Sequence, residues 1–371
     1  MEDDELYTLV TAKRSRGGIV EREKLKGRDI AVKSQFYIRE DDFLISKRQI
    51  VHGACGFVPK QLDGAIVSNE YLVINFTDKI IPEFWNFLSY TVYFQQICFH
   101  SSIGVHIEKM LFKVEQWYCW KINIPSLEEQ EKIASFLGAV DRRLTQLRRK
   151  QELLQTYKRG VMQKIFSQEI RFKGAIASPF PDWERKKLKE ISLISSGVTP
   201  LRSNDVYFKD GSIPWVKTTD LNNSEIWETE ELISDIALKE TSAKKNPVNS
   251  ILIAMYGGFN QIGRTGILKI EAATNQAISV VQVKNNLDPQ YLLFFLNSNV
   301  KKWRKYAGSS RKDPNITSKD VGDFLVYFPS KKEQEKIANF LTAIDRKIET
   351  LSRQIEQTEK FKKGLLQKLF I

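Results

Sequence analysis

The sequence predicts an α+β protein in which two mixed α/β domains of one fold alternate with two long helices, each patterned to pair with another helix. Three observations predict it. A stretch of about forty residues occurs twice, and repetition over that length marks a duplicated element. In both copies apolar residues recur at helical spacing, and the segments before and between the copies share one order of strand-like and helix-like runs.

The repeat is read first. Pro125-Ser-Leu-Glu-Glu-Gln-Glu-Lys-Ile-Ala-Ser-Phe-Leu137 returns as Pro329-Ser-Lys-Lys-Glu-Gln-Glu-Lys-Ile-Ala-Asn-Phe-Leu341, and Asp141-Arg142, Lys158-Arg-Gly160 and Gln163-Lys-Ile-Phe166 return as Asp345-Arg346, Lys362-Lys-Gly364 and Gln367-Lys-Leu-Phe370. Pro125 and Pro329 stand where a missing N–H costs nothing, and Ser126 and Ser330 precede Glu129 and Glu333 by the spacing of a capping box. Ile133, Leu137, Val140, Leu144, Leu147, Leu154, Val161 and Ile165 follow alternating steps of four and three, with gaps. So do Ile337, Leu341, Ile344, Ile348, Leu351, Ile355, Leu365 and Leu369. Each copy therefore reads as a helix of about 60 Å, and so narrow a stripe on so long a helix demands a partner helix. The residues expected to make the helix pairing and subunit contact are Ile133, Leu137, Val140, Leu144 and Leu147 with Ile337, Leu341, Ile344, Ile348 and Leu351. Gln151, Lys158, Thr358 and Lys362 fall on the stripe, so packing is expected to weaken toward each C-terminal half.

The expected boundaries are a first domain at 1–123, the first long helix at 124–168, a second domain at 169–328 and the second long helix at 329–371. Asp42-Phe-Leu-Ile-Ser46 and Ala65-Ile-Val67 read as strands of the first domain; Ser250-Ile-Leu-Ile-Ala254 and Ala277-Ile-Ser-Val-Val-Gln-Val283 read as strands of the second. A proline-opened helix follows in both, after Ile81-Pro82 and Asp288-Pro289. Aligning Phe43-Leu-Ile45 with Ile251-Leu-Ile253 leaves the first domain with no counterpart to Trp183–Val206, so it is expected to lack its opening segment.

Lys and Arg outnumber Asp and Glu by 57 to 45, a net charge of +12 that suits a polyanionic partner. Cys55, Cys98 and Cys119 are sparse and form no CxxC pair, and neither His52 near Cys55 nor His100 near Cys98 has a matching second pair. A disulfide framework and a metal site are both disfavoured. The acidic start Met1-Glu-Asp-Asp-Glu5 precedes no apolar run and no stretch is long enough to span a bilayer, so no membrane association and a cytoplasmic location are expected. The chain holds no NPPY-like motif and no GxxxxGK[ST] phosphate loop. Pro181-Asp182-x-Glu184-x-Lys186 has the residue types of a nuclease metal cluster, but its carboxylates are neighbours on one short stretch.

With Pro-Ser-x-x-Glu-Gln-Glu-Lys-Ile-Ala-x-Phe-Leu at the head of both helices, the chain resembles the specificity subunits of type I restriction-modification systems. Supporting marks are Phe180-Pro-Asp-Trp-Glu-Arg-Lys-Lys-Leu188 with Ser196-Gly-Val-Thr-Pro200, Thr274-Asn-Gln276, and Gly308-Ser-Ser310 before Ile316. The resemblance implies two target recognition domains, each reading half of a bipartite site in double-stranded DNA. It also implies that the two long helices pair as an antiparallel coiled coil, set the half-site spacing and bind two methyltransferase subunits. S-adenosylmethionine, ATP and Mg would then sit on methyltransferase and restriction/translocase subunits, with no cofactor and no catalysis in this chain.

Phosphate contact calls for Lys, Arg or exposed N–H groups, and base reading for directional donors and acceptors. In the first domain Lys13, Arg14 and Arg16 (beside Gly17-Gly18) and Lys47, Arg48 and His52 fit. In the second, Lys217, Thr218, Thr219, Asn260, Gln261, Arg264, Ser309, Ser310, Arg311 and Lys312 fit, with Asn260-Gln261 suited to adenine edges. Each cluster also reads as a solvated loop. Arg142, Arg148 and Arg149 could face spacer DNA or solvent alike. Two other classes stay open: a coiled-coil scaffold with degenerate, non-DNA-reading domains, and an enzyme acting on DNA alone. S-adenosylmethionine binding by the isolated chain would separate the second from the rest.

Overall fold

The computed structural model describes residues 2–174, 178–258, 260–284, 286–303, 305–307 and 315–370. They divide into two compact units, Met1–Arg149 with Leu351–Ile371, and Lys150–Thr350.

In the first unit β1 (Leu6–Ala12) and β2 (Ile19–Lys26) form an antiparallel hairpin, followed by β3 (Gln35–Tyr37), β4 (Phe43–Ser46), β5 (Cys55–Phe57), β6 (Ile66–Ser68) and β7 (Tyr71–Ile74). One sheet has the order β2-β1-β6-β3, with β1 parallel to β6; the other has the order β5-β4-β7. Then come α1 (Pro82–Ser89), α2 (Val92–His100), β8 (Ser102–Ile103), β9 (Leu111–Phe112), α3 (Val114–Trp117) and the long α4 (Leu127–Phe166). β4 reads as an unbroken apolar run because both its faces are covered. Phe43 and Ile45 pack with Trp85, Phe94 and Trp117, while Leu44 packs with Val10, Ile38 and Val58.

The second unit contains β10 (Glu184–Lys187), α5 (Leu188–Ile191), β11 (Ser192–Ser196), β12 (Ile213–Val216), β13 (Ser224–Ile226), β14 (Glu231–Ile233) and α6 (Asp235–Glu240). β15 (Ile251–Ala254), β16 (Thr265–Leu268), β17 (Ala273–Thr274) and β18 (Ile278–Val283) follow, then α7 (Pro289–Ser298), α8 (Val300–Trp303), α9 (Ser318–Asp323), β19 (Leu325–Phe328) and the long α10 (Lys331–Leu369). The sheets are β11-β18-β15-β16-β13, β14-β12-β17 and β10-β19. β15 repeats the logic of β4: Ile251 and Ile253 face the main core, Leu252 and Ala254 a second one.

Neighbours identify the two domains as copies of one fold. β4 lies between β5 and β7 as β15 lies between β16 and β18, and β1 runs parallel to β6 as β12 runs parallel to β17. The copies differ in three places among the described residues: β16 carries β13 where β5 ends its sheet, β6 carries β3 where β17 ends its sheet, and the third lies at the opposite edge. β18 has β11 on its outer edge and β19 pairs with β10, whereas β7 ends its sheet and residues 121–124 form no strand.

The helices span 40 and 39 residues and pair antiparallel within each unit. In the first, Ile133 and Leu137 share a cluster with Leu365, Leu366 and Phe370. In the second, Val161, Met162 and Ile165 share one with Ile337, Leu341 and Ile344. Of the ten expected seam residues, Val140 and Ile348 are half-buried and the other eight are buried. The expected weakening toward each C-terminal half holds in α10, where no described residue after Leu351 is buried and Leu369 is 39% exposed, but not in α4, where Met162, Ile165 and Phe166 are buried, and the two stripe lysines are not flaws. Lys158 pairs with Asp345 at 2.5 Å and lies over the Phe294 ring, and its counterpart Lys362 pairs with Asp141 at 2.6 Å over Phe87 and Tyr90. An apolar stem under a cation that meets a carboxylate fills a seam position as a shorter apolar residue would. The Asp of the repeated Asp-Arg is thus the partner of the repeated Lys.

Candidate nucleic-acid interface

The loop β1–β2 carries Lys13, Arg14 and Arg16, and the loop β4–β5 carries Lys47, Arg48 and His52. The fold brings them together. Ser15 and Arg16 have left-handed backbones (φ 54° and 55°), and their N–H groups donate to the His52 and Gly53 carbonyls at 2.7 and 3.0 Å. Arg14 bonds Gln49 at 2.8 Å and pairs with Glu108 at 2.6 Å, and His52 lies 3.4 Å from the same carboxylate. The Arg14 hydrogen bond holds the Glu108 carboxyl below its ordinary range. Arg48 forms a two-pronged pair with Glu70, at 2.6 and 3.0 Å, which raises its pKa, and Lys47 donates to the Asn69 carbonyl. Arg16 is half-buried beneath Tyr90, while Lys13 is exposed and forms no ion pair among the described residues.

In the second unit the candidates occupy the corresponding loops. Lys217, Thr218 and Thr219 follow β12, the counterpart of β1; Asn260, Gln261 and Arg264 lie between β15 and β16, as Lys47–His52 lie between β4 and β5. Lys217 Nζ sits between Glu230 at 2.8 Å and Glu231 at 2.6 Å, which raises its pKa. Glu231 also takes Arg202 at 2.6 Å, whose guanidinium covers Phe208 and Trp215; the Arg202 hydrogen bond, then Lys217, holds that carboxyl low. Gly257, Gly258 and Gly263 have positive φ, and a side chain at Gly263 would strike the Trp303 ring. These turns leave Asn260 exposed and Gln261 half-buried. Thr274–Ala277 joins the two loops, Asn275 N–H donating to Val216 and Met255 N–H to Ala277. Gly197 allows this approach, since a Cβ there would lie 2.2 Å from the Asn275 carbonyl oxygen. Ser309, Ser310, Arg311 and Lys312 lie outside the described residues.

Several groups that sequence reasoning missed hold these loops or the helix starts. Glu108, Glu70 and Glu231 are acids set among the bases, and nothing local to the sequence pairs Arg14 with a residue 94 positions away. Gln130 and Gln334 had a signal, being invariant between the two repeats. Each amide donates to two carbonyls, Lys79 and Pro125 or Asn286 and Pro329, and accepts the N–H of Ile81 or Asp288. Each therefore ties a long helix to the start of α1 or α7. Arg142 and Arg143 are exposed on α4, whereas Arg148 bonds Glu359 of α10 at 2.6 Å.

Among the described residues no group of three His, Cys, Asp or Glu could hold a metal ion, and no helix is long and apolar enough to cross a membrane. Cys55 and Cys98 are buried, and burial pushes the Cys55 thiol up to about 11.

A family model for the type I restriction modification DNA specificity domain matches residues 3–155 and 181–360. The type I restriction enzyme MjaVIII specificity subunit of Methanocaldococcus jannaschii is 27% identical over 278 residues, 70% of this chain and 62% of that protein. The chain thus spans about three fifths of the length of the curated relatives it first matches. A structure solved to explain complex assembly and conformational transition of the type I R-M system superposes with a TM-score of 0.64 at 20% identity, covering 99% of this chain and 92% of that one. The type I restriction-modification S subunit from M. genitalium superposes with a TM-score of 0.59 at 16% identity, covering 99% and 96%. These two likenesses are likenesses of fold.

Proposed function

The chain belongs to the type I restriction-modification DNA specificity family, and from that premise we propose that it reads a bipartite DNA target, one half-site per domain, for modifying and cleaving subunits carried on other chains. One observation supports this most: the same two loops of the fold, in both copies, gather the basic and amide side chains. Exposed Lys13 suits a phosphate, and Asn260 presents donor and acceptor together, as an adenine edge requires. S-adenosylmethionine, ATP and Mg belong on the methyltransferase and translocase partners in this reading, and two methyltransferase subunits meet the paired helices.

The test is methylome sequencing of a host expressing the chain with its methyltransferase partner. The expected result is methylated adenine in a motif of two defined halves around a spacer of fixed length; methylation without such a motif sinks the proposal. The internal pairing of Arg14, Arg48 and Lys217 favours a second reading, a scaffold whose domains do not read DNA. That reading requires binding that ignores sequence and survives Asn260→Ala, whereas base reading predicts a loss of about 1–3 kcal/mol for the preferred site.

A further inference from the structure

In the second unit, residues 171–174 and 178–196 cover the start of α10 and pair with β19 and β18. Arg171 reaches the Glu333 carboxylate at 2.9 and 3.2 Å, the Trp183 indole N–H donates to it at 2.9 Å, and Glu333 is fully buried. Phe172 stands edge-on to Phe340 at 5.7 Å. β10 pairs antiparallel with β19 and β11 with β18, while α5 between them sets Leu188 and Ile191 into the core.

The first unit repeats the surface that receives this segment. Glu129, the counterpart of Glu333, is exposed, and its carboxylate bonds no described residue. Phe136, the counterpart of Phe340, is 48% exposed. Lys121–Ile124 corresponds to β19 and is in no strand, and β7, the counterpart of β18, has a free edge with Leu72 and Ile74 half-buried. Each feature alone is ordinary. Together they trace the footprint that one segment occupies in the other unit, and a free strand edge beside exposed apolar side chains is a template for pairing.

We propose that this surface is a docking site for a polypeptide segment built like residues 171–196. It would bring an Arg and an aromatic residue to Glu129 and Phe136, a Trp, and then a strand, one helical turn and a second strand. The two strands would pair with 121–124 and with Tyr71–Ile74. Charge complementarity selects this occupant, because an exposed carboxylate, an exposed phenyl ring and a free strand edge favour a cation and an N–H donor over an acidic or wholly apolar segment. A second copy of the chain does not serve, since its own segment is built into its second unit, where Leu188 is fully buried.

The probe is a synthetic peptide of residues 171–196 titrated into the intact chain, without DNA. We expect saturable binding with Kd below about 100 μM and slowed amide exchange at Tyr71–Ile74 and Lys121–Ile124. Glu129→Gln in the chain, or Arg171→Ala in the peptide, should weaken binding at least about tenfold by removing one side of a charge-assisted pair. Glu129 is exposed, so its variant folds. Absence of binding at about 1 mM peptide overturns the proposal. So does binding that ignores both substitutions, or that appears as exchange loss at Ile278–Val283, the mark of displacement in the second unit.

Discussion

Glu129 and Glu333 occupy the same place in the same motif, yet one is exposed and the other fully buried between an arginine and an indole. Gln130 and Gln334, one residue on, make the same three bonds in both units. The difference shows what a repeat specifies. A residue whose partners lie on its own helix and the loop beside it behaves identically in both copies; a residue whose partners come from a distant segment does not.

Truncating the seam should break the comparison least and cost most. Leu137→Ala and Leu341→Ala each empty a fully buried position and should each destabilise by about 3 kcal/mol in urea unfolding of the full chain. A large inequality between them would show that one copy of the seam is slack. The glutamates should then separate. Glu333→Gln leaves Arg171 facing a neutral amide and should cost about 2 kcal/mol, whereas Glu129→Gln should stay within about 0.5 kcal/mol; equal effects would refute the contrast drawn above. The seam lysines should matter less than Glu333. Lys158→Met and Lys362→Met should each change stability by about 1 kcal/mol or less, and added salt should narrow the gap from wild type.

The helices were legible because a proline at the start and a stripe whose period follows the helical turn are local signals; the expected capping boxes do not form, since Ser126 Oγ accepts the Glu129 N–H at 3.3 Å without a return bond from the carboxylate and Ser330 Oγ has no partner among the described residues. The central strands β4 and β15 were legible as apolar runs because both faces are buried. The β1–β2 hairpin was not, since Val20–Lys26 is charged and half in solvent, and the parallel pairing of β1 with β6 joins Leu9 to Ile66 across 57 residues. At the interface the glycines and bases marked the loops. The acids that set those bases, Glu108, Glu70 and Glu231, lie far away in sequence or behind intervening strands, so the charge state of the patch was invisible. Lys158 and Lys362 looked like flaws in the stripe for the same reason: their aspartates are on the opposite helix.

The β1–β2 tip carries two consecutive non-glycine residues in the left-handed region, pinned by the His52 and Gly53 carbonyls. Such a conformation costs about 1–2 kcal/mol per residue, and that cost is met during folding. A ligand reaching Lys13 and Arg14 therefore meets a shape already frozen, and its calorimetric signature should be a small heat-capacity change with little of the entropy loss of coupled folding.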